Sequence, residues 1–188
     1  MKNKSVFSLL ALGSLWLSQT GCASNASKTT EEAEQTALEA EQPAQEVAQT
    51  DEDMAPDFTL KDIHGKDFQL SSLRGKYVVL DFWGSWCPWC LRGLPKMKEY
   101  YAKYKGKLEI VGIDCGDTEE DWKECVEENK IPWMHVYNPN TSDALQRAYG
   151  LQGYPHKVVV SPEGRVLKAF IGEVPEFYPY LDEVLGGK

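Results

Sequence analysis

No stretch of this chain is apolar for long enough to cross a membrane. The longest apolar run, Val6 to Leu17, falls short of the roughly 20 residues a spanning helix needs. Basic residues are outnumbered, 20 Lys and Arg against 29 Asp and Glu for a net charge of −9, so no cationic surplus is present to hold a nucleic-acid backbone. Large apolar side chains are nearly missing from residues 23 to 53, which are mostly Ala, Glu, Gln, Thr and Ser. Such a composition cannot offset its own ordering entropy, which excludes a packed domain there. Cysteine is scarce too, at five, and the spacing Cys-x-x-Cys occurs once, which argues against a zinc site built from two such pairs.

What remains divides into three parts. Residues 1 to 21 carry Lys2 and Lys4, then the apolar run, then Ser18-Gln19-Thr20-Gly21, the pattern of a secretory signal. Gly21-Cys22 is similar to a lipoprotein processing site, in which Cys22 becomes the lipidated first residue; Gln19 is untypical of such sites, so ordinary signal cleavage stands as the alternative. Residues 22 to 53 are expected to form a disordered acidic tether. From 22 to 56 nine acids face Lys28 alone, a net of −8, which leaves −3 for residues 57 to 188 once Lys2 and Lys4 are counted. Residues 54 to 188 suit one mildly acidic α/β domain with a full core. A signal peptide also implies a compartment where disulfides persist.

The domain is organised around Val78-Val79-Leu80-Asp81-Phe82-Trp83-Gly84-Ser85-Trp86-Cys87-Pro88-Trp89-Cys90. An apolar run broken only by Asp81 reads as a buried strand, Tyr77 to Trp83, ended by Gly84-Ser85. Pro88 suits the first position of a helix, where a missing N–H costs nothing. Cys87 and Cys90, three apart on the first turn, fall on one face and are close enough to bridge. The unpaired N–H groups and positive dipole end of that turn favour a thiolate at Cys87.

Around this centre the periodicity predicts a hairpin from Phe58 to Leu60 and Phe68 to Leu70, and a helix from Cys87 to about Tyr104 bent at Pro95. A strand follows at Leu108 to Ile113, a helix capped by Thr118 running to Asn129, a strand at Trp133 to Val136 and a helix from Thr141 to Tyr149. A last hairpin pairs Val158 to Ser161 with Arg165 to Ile171, and Pro175 to Leu185 is a final helix. Strands alternating with helices, then a closing hairpin, give a mixed sheet flanked by helices.

The central segment resembles thioredoxin, and specifically the TlpA/ResA-like thiol-disulfide oxidoreductases of bacterial envelopes. Asp81 six before the first cysteine, Trp86 directly before it and Pro95 five after the second match that pattern. Ala55-Pro56-Asp57-Phe58-Thr59-Leu60 is similar to the family's opening hairpin, and Gly153-Tyr154-Pro155 with Val158-Val159-Val160 to its cis-proline loop and last hairpin. The resemblance implies a thioredoxin-like fold with an N-terminal β-hairpin extension, and a disulfide reductase working through Cys87-Pro88-Trp89-Cys90. It implies Cys87 as nucleophile, Cys90 as resolving thiol and Asp81 as the acid or base beneath it. Tyr154-Pro155 is expected cis, with Trp86, Tyr154 and Pro155 contacting substrate. No cofactor beyond the redox-active disulfide and no metal is expected.

Two residues depart from the resembled pattern. Many members carry glutamate three after the second cysteine, where this chain has Gly93, and asparagine at the strand position held here by Asp81. Pro88-Trp89 replaces the Gly-Pro of thioredoxin and is expected to tune the reduction potential. The implied partners are envelope proteins with disulfides or thiols, such as apocytochrome c, and a membrane electron donor, on the periplasmic side. A peroxidase on the same fold needs threonine three before its cysteine, and Gly84 stands there; a Sco-type copper carrier needs three residues between its cysteines, and here there are two. Cys115 and Cys125, ten apart, are either two buried thiols or a structural disulfide between strand end and helix, and an even count in an oxidising compartment favours the disulfide. His64, His135 and His156 read as ordinary packing or rim residues.

Overall fold

The computed structural model describes residues 53–138 and 143–187; the expected signal peptide, Cys22 and all but the last residue of the expected tether lie outside them. Seven strands form one sheet: β1 (Thr59–Asp62), β2 (Asp67–Gln69), β3 (Tyr77–Trp83), β4 (Leu108–Asp114), β5 (Met134–Tyr137), β6 (His156–Val160) and β7 (Val166–Ile171). Their spatial order is β2-β1-β5-β4-β3-β6-β7. β3, β4 and β5 run parallel, while β6 and β7 on one side and β1 and β2 on the other are antiparallel to their neighbours. The helices are α1 (Pro88–Lys103), α2 (Glu119–Glu128), α3 (Asp143–Ala148) and α4 (Phe177–Leu185).

β3 lies inside the sheet with both of its edges paired, with β4 in parallel and β6 in antiparallel. Its side chains alternate between two separate cores, as a pleated strand buried on both faces requires. Val79 and Trp83 pack with Cys90, Leu94 and Met97 of α1, Trp122 and Val126 of α2 and Phe177 and Leu181 of α4. Val78, Leu80 and Phe82 pack with Phe68, Val111, Ile113, Val136 and Tyr149 on the opposite face. Fully burying each such aliphatic or aromatic side chain contributes roughly 1.5–3 kcal/mol, so this strand anchors the fold on both sides.

β3 spans the residues expected for it, and α1 runs unbroken past Pro95. α2 begins after Thr118, whose hydroxyl accepts the Asp121 N–H at 3.1 Å as an N-cap. The opening hairpin is displaced by a residue or two from its expected place, because β1 also pairs with β5 through Lys61 and Asp62 and so extends beyond Leu60. The helix expected at 141–149 is present as α3 over Asp143–Ala148, with Thr141 and Ser142 outside the described residues.

The bridge expected between Cys115 and Cys125 is absent: both are free and buried. The sheet itself separates them. Cys115 continues the alternation of Val111 and Ile113 into one core, while Cys125 lies on α2 in the core of the other face. Ten residues of spacing carry no information about which side of a sheet each thiol will face.

Candidate active site

Cys87 is the N-cap of α1, in extended conformation (φ −96°, ψ 101°), and Pro88 opens the helix behind it. The turn is fixed by two hydrogen bonds, Cys87 N–H to the Gly84 carbonyl at 3.1 Å and Leu91 N–H to the Cys87 carbonyl at 3.2 Å. Cys87 and Cys90 form a disulfide with their Cα atoms 5.3 Å apart. The Cys90 N–H donates to Cys87 Sγ at 3.2 Å, so an orphan donor of the helix end is aimed at the first sulfur and not the second.

Exposure does not distinguish the two sulfurs. Cys87 is 3% and Cys90 5% exposed in the disulfide form, while Trp86 and Trp89 beside them are 52% and 55% exposed. The accessible surface at the site is therefore mainly indole. Trp86 is held from two directions, its N–H donating to the Cys115 carbonyl at 3.0 Å and its ring meeting Tyr154 edge-on at 5.2 Å. Gly84 is required beneath it, since a Cβ there would lie 2.4 Å from Trp86 Nε1. The guanidinium of Arg92 covers the Trp89 ring at 4.2 Å, a cation–π contact not anticipated from the sequence.

Two loops complete the rim. Asp117, after β4, accepts from both the N–H (2.7 Å) and the hydroxyl (2.6 Å) of Ser85, tying the turn before Cys87 to the start of α2. The Tyr154-Pro155 peptide is cis, as expected, and the Pro155 carbonyl accepts the Gly172 N–H at 2.7 Å. Burial pushes the Tyr154 phenol up to about 12, as it does the Cys115 thiol beside it, so both keep their protons at neutral pH.

Asp81 sits in β3 between Val79 and Trp83, on the face covered by α1. It is 5% exposed, and burial raises its carboxyl above the usual range against the opposing pull of Lys157. Lys157 pairs with Asp81 in register across β3 and β6, and its Nζ lies 3.9 Å from Asp81 Oδ1. The closer partner of this buried lysine is Glu173, at 2.7 Å, which also accepts the Tyr178 hydroxyl at 2.8 Å. Gly93 makes room for that carboxylate, because a Cβ at 93 would meet Glu173 Oε2 at 2.4 Å.

Lys157 and Glu173 escaped the sequence reading. Lys157 stands with His156 directly ahead of three valines, and a charge beside so apolar a run was the available signal. His156 faces Phe82 at 6.1 Å and His135 lies between Trp83 and Trp133. Burial lowers both imidazoles, His135 to about 3, so they are neutral packing groups.

The comparisons agree with this geometry. The AhpC/TSA family pattern matches residues 52–169. The thiol-disulfide oxidoreductase ResA of Bacillus cereus is 34% identical over 120 residues, covering 63% of this chain and 68% of the relative. The ResA of Bacillus subtilis is 31% identical over 137 residues, covering 71% and 75%. Among solved structures, the thioredoxin domain of a thiol-disulfide oxidoreductase from Bacteroides vulgatus superposes with a TM-score of 0.65 at 30% identity, covering 70% of this chain and 95% of that one. A thiol:disulfide interchange protein from Bacteroides sp. gives 0.61 at 29%, covering 71% and 89%. The chain thus belongs to the AhpC/TSA family and is, within it, a ResA-like thiol-disulfide oxidoreductase with a thioredoxin-like fold.

Proposed function

We propose that the protein reduces disulfides of other proteins in the cell envelope, with Cys87 as nucleophile and no cofactor beyond its own dithiol. The observation that carries the reading is the Cys90 N–H aimed at Cys87 Sγ, which stabilises negative charge on that sulfur in the reduced protein. The Cys87 thiolate attacks one sulfur of the substrate disulfide, forming a Cys87–substrate bond and releasing the other substrate sulfur, which takes up a proton. Cys90 then gives its proton to Asp81 and attacks Cys87 Sγ. The Cys87–Cys90 disulfide forms, the mixed bond breaks, and the second substrate thiolate leaves with the electron pair.

Trp86, Tyr154 and Pro155 make the substrate-facing rim in this reading, and Pro88 and Trp89 tune the potential of the pair. Localisation follows from the signal-like residues 1 to 21, with a lipid on Cys22 holding the domain at the periplasmic face of the membrane. Substrates such as apocytochrome c and a membrane electron donor fit that placement. Insulin reduction with dithiothreitol, together with the reduction potential of the pair, tests the reading. A potential near that of thioredoxin, about −270 mV, supports a reductant, and one near −120 mV reverses the direction of electron flow.

A further inference from the structure

One cation is buried between two carboxylates beneath the active-site helix. Lys157, 1% exposed, is 2.7 Å from Glu173 and 3.9 Å from Asp81. Asp81 Oδ1 has no hydrogen-bond partner, while Glu173 is held by both the lysine and Tyr178. A single buried positive charge does not fully compensate both the buried Asp81 and the partly buried Glu173, and the unequal distances decide which carboxyl has the weaker claim on it. The lysine charge is committed to Glu173. The remaining proton belongs on Asp81.

The titratable groups around Asp81 on its own side of the sheet are Lys157 from β6, Glu173 from the turn after β7 and Tyr178 from α4, while the Cys115 thiol beyond β4 lies in the core of the other face. Cys90 lies in the core that Asp81 faces, and the Tyr178 hydroxyl reaches the Gly93 carbonyl at 3.5 Å, one turn further along α1.

We propose that Glu173 and Lys157 are positioning residues for the Asp81 proton: Glu173 draws the lysine charge to itself, so that in the disulfide form Asp81 stays protonated and able to supply Cys90. This rests on the reading of Asp81 as proton carrier. When a reductant thiolate attacks Cys87 Sγ, the reductant–Cys87 bond forms, the Cys87–Cys90 bond breaks and Cys90 leaves with the electron pair. Its proton comes from Asp81, and the carboxylate so created gains compensation from Lys157. When the reduced pair attacks a substrate disulfide, the same proton returns from Cys90 to Asp81.

The test uses the full chain in its disulfide form. Carboxyl NMR of isotope-labelled aspartate follows Asp81, assigned by its loss in Asp81→Asn. Glu173→Gln, which keeps the shape and one acceptor oxygen for Lys157 but not the charge, is expected to lower the Asp81 titration midpoint by about one pH unit or more, and Lys157→Met to raise it. Opposite signs from the two members of one ion pair are not produced by general loosening. Should Lys157→Met fail to fold, Gly93→Ala takes its place as a second probe, since its Cβ displaces the Glu173 carboxylate and must move the midpoint. An unmoved midpoint in Glu173→Gln overturns the inference. The pH profile of disulfide reduction by dithiothreitol judges the underlying reading separately. Asp81→Asn is expected to flatten it relative to wild type, and an identical profile sinks the proton-carrier role however Asp81 titrates.

Discussion

The backbone N–H of Cys90 points at Cys87 Sγ from 3.2 Å, across the same first turn that the disulfide closes. A donor fixed by the helix backbone cannot be turned to serve the other sulfur, so the two cysteines are chemically unequal although both are nearly buried. Cys87→Ser is therefore expected to abolish insulin reduction, while Cys90→Ser accumulates mixed disulfides through Cys87. Non-reducing gels of protein isolated after alkylation read this directly. Adducts trapped through Cys90 in the Cys87→Ser protein would reverse the assignment.

Trp86 is half-exposed yet fixed by the Cys115 carbonyl and by the Tyr154 ring. Held in place before substrate arrives, an indole loses little conformational freedom on binding, which favours a contact role at the rim. Trp86→Ala should raise KM for a protein disulfide by about tenfold, the equivalent of ~1.4 kcal/mol, and leave turnover of a small aromatic disulfide little changed. Equal losses for both substrates would mean that the side chain supports the turn and does not meet the partner.

Asp114, fully buried at the end of β4, has its carboxyl pushed up to about 8 by burial and then by the neighbouring Asp117 carboxylate. The folded value lies above the ordinary 3.8, so between about pH 4 and 8 the native protein holds a proton that the unfolded chain has released. Stability contributed by this group must then fall as pH rises through that window, by at most about 1.4 kcal/mol per pH unit. Asp114→Asn removes the slope. Urea midpoints at pH 5 and pH 8 are expected to show the variant gaining on wild type at the higher pH, and a parallel response would refute the assignment.

The two free thiols give a simple chemical check. Cys115 and Cys125 should resist alkylation in the native, unreduced protein and react once it is denatured, still without reductant. Peptide mapping by mass spectrometry distinguishes them from Cys22. Failure of both to label after denaturation alone would restore the bridge.

The legible parts of this chain were those in which one local property decides the outcome. Tyr77–Trp83 was readable at both ends because a continuous buried run has no other use in a small α/β domain, and Cys87 because Pro88 marks the helix start. The cis Tyr154-Pro155 bond followed from a resemblance and not from the dipeptide itself. What stayed hidden depends on which faces meet after folding. Cys115 and Cys125 are near in sequence and divided by the sheet. Asp81 and Glu173 are distant in sequence and joined by Lys157, and nothing local in Gly93 announces that its missing side chain is a carboxylate's berth.

The opening hairpin bears on solubility as well as on architecture. Without it β5, four residues with Met134 exposed at one end, would present its outer backbone groups to any passing extended chain. β1 occupies that side, and β2 then ends the sheet after three residues, its exposed Asp67 paired with Lys61 at 2.6 Å. So short and charged a terminus offers little for another chain to pair with. A segment remote from Cys87 and Cys90 thereby keeps this edge of the sheet from growing between molecules, β7 forming the other edge.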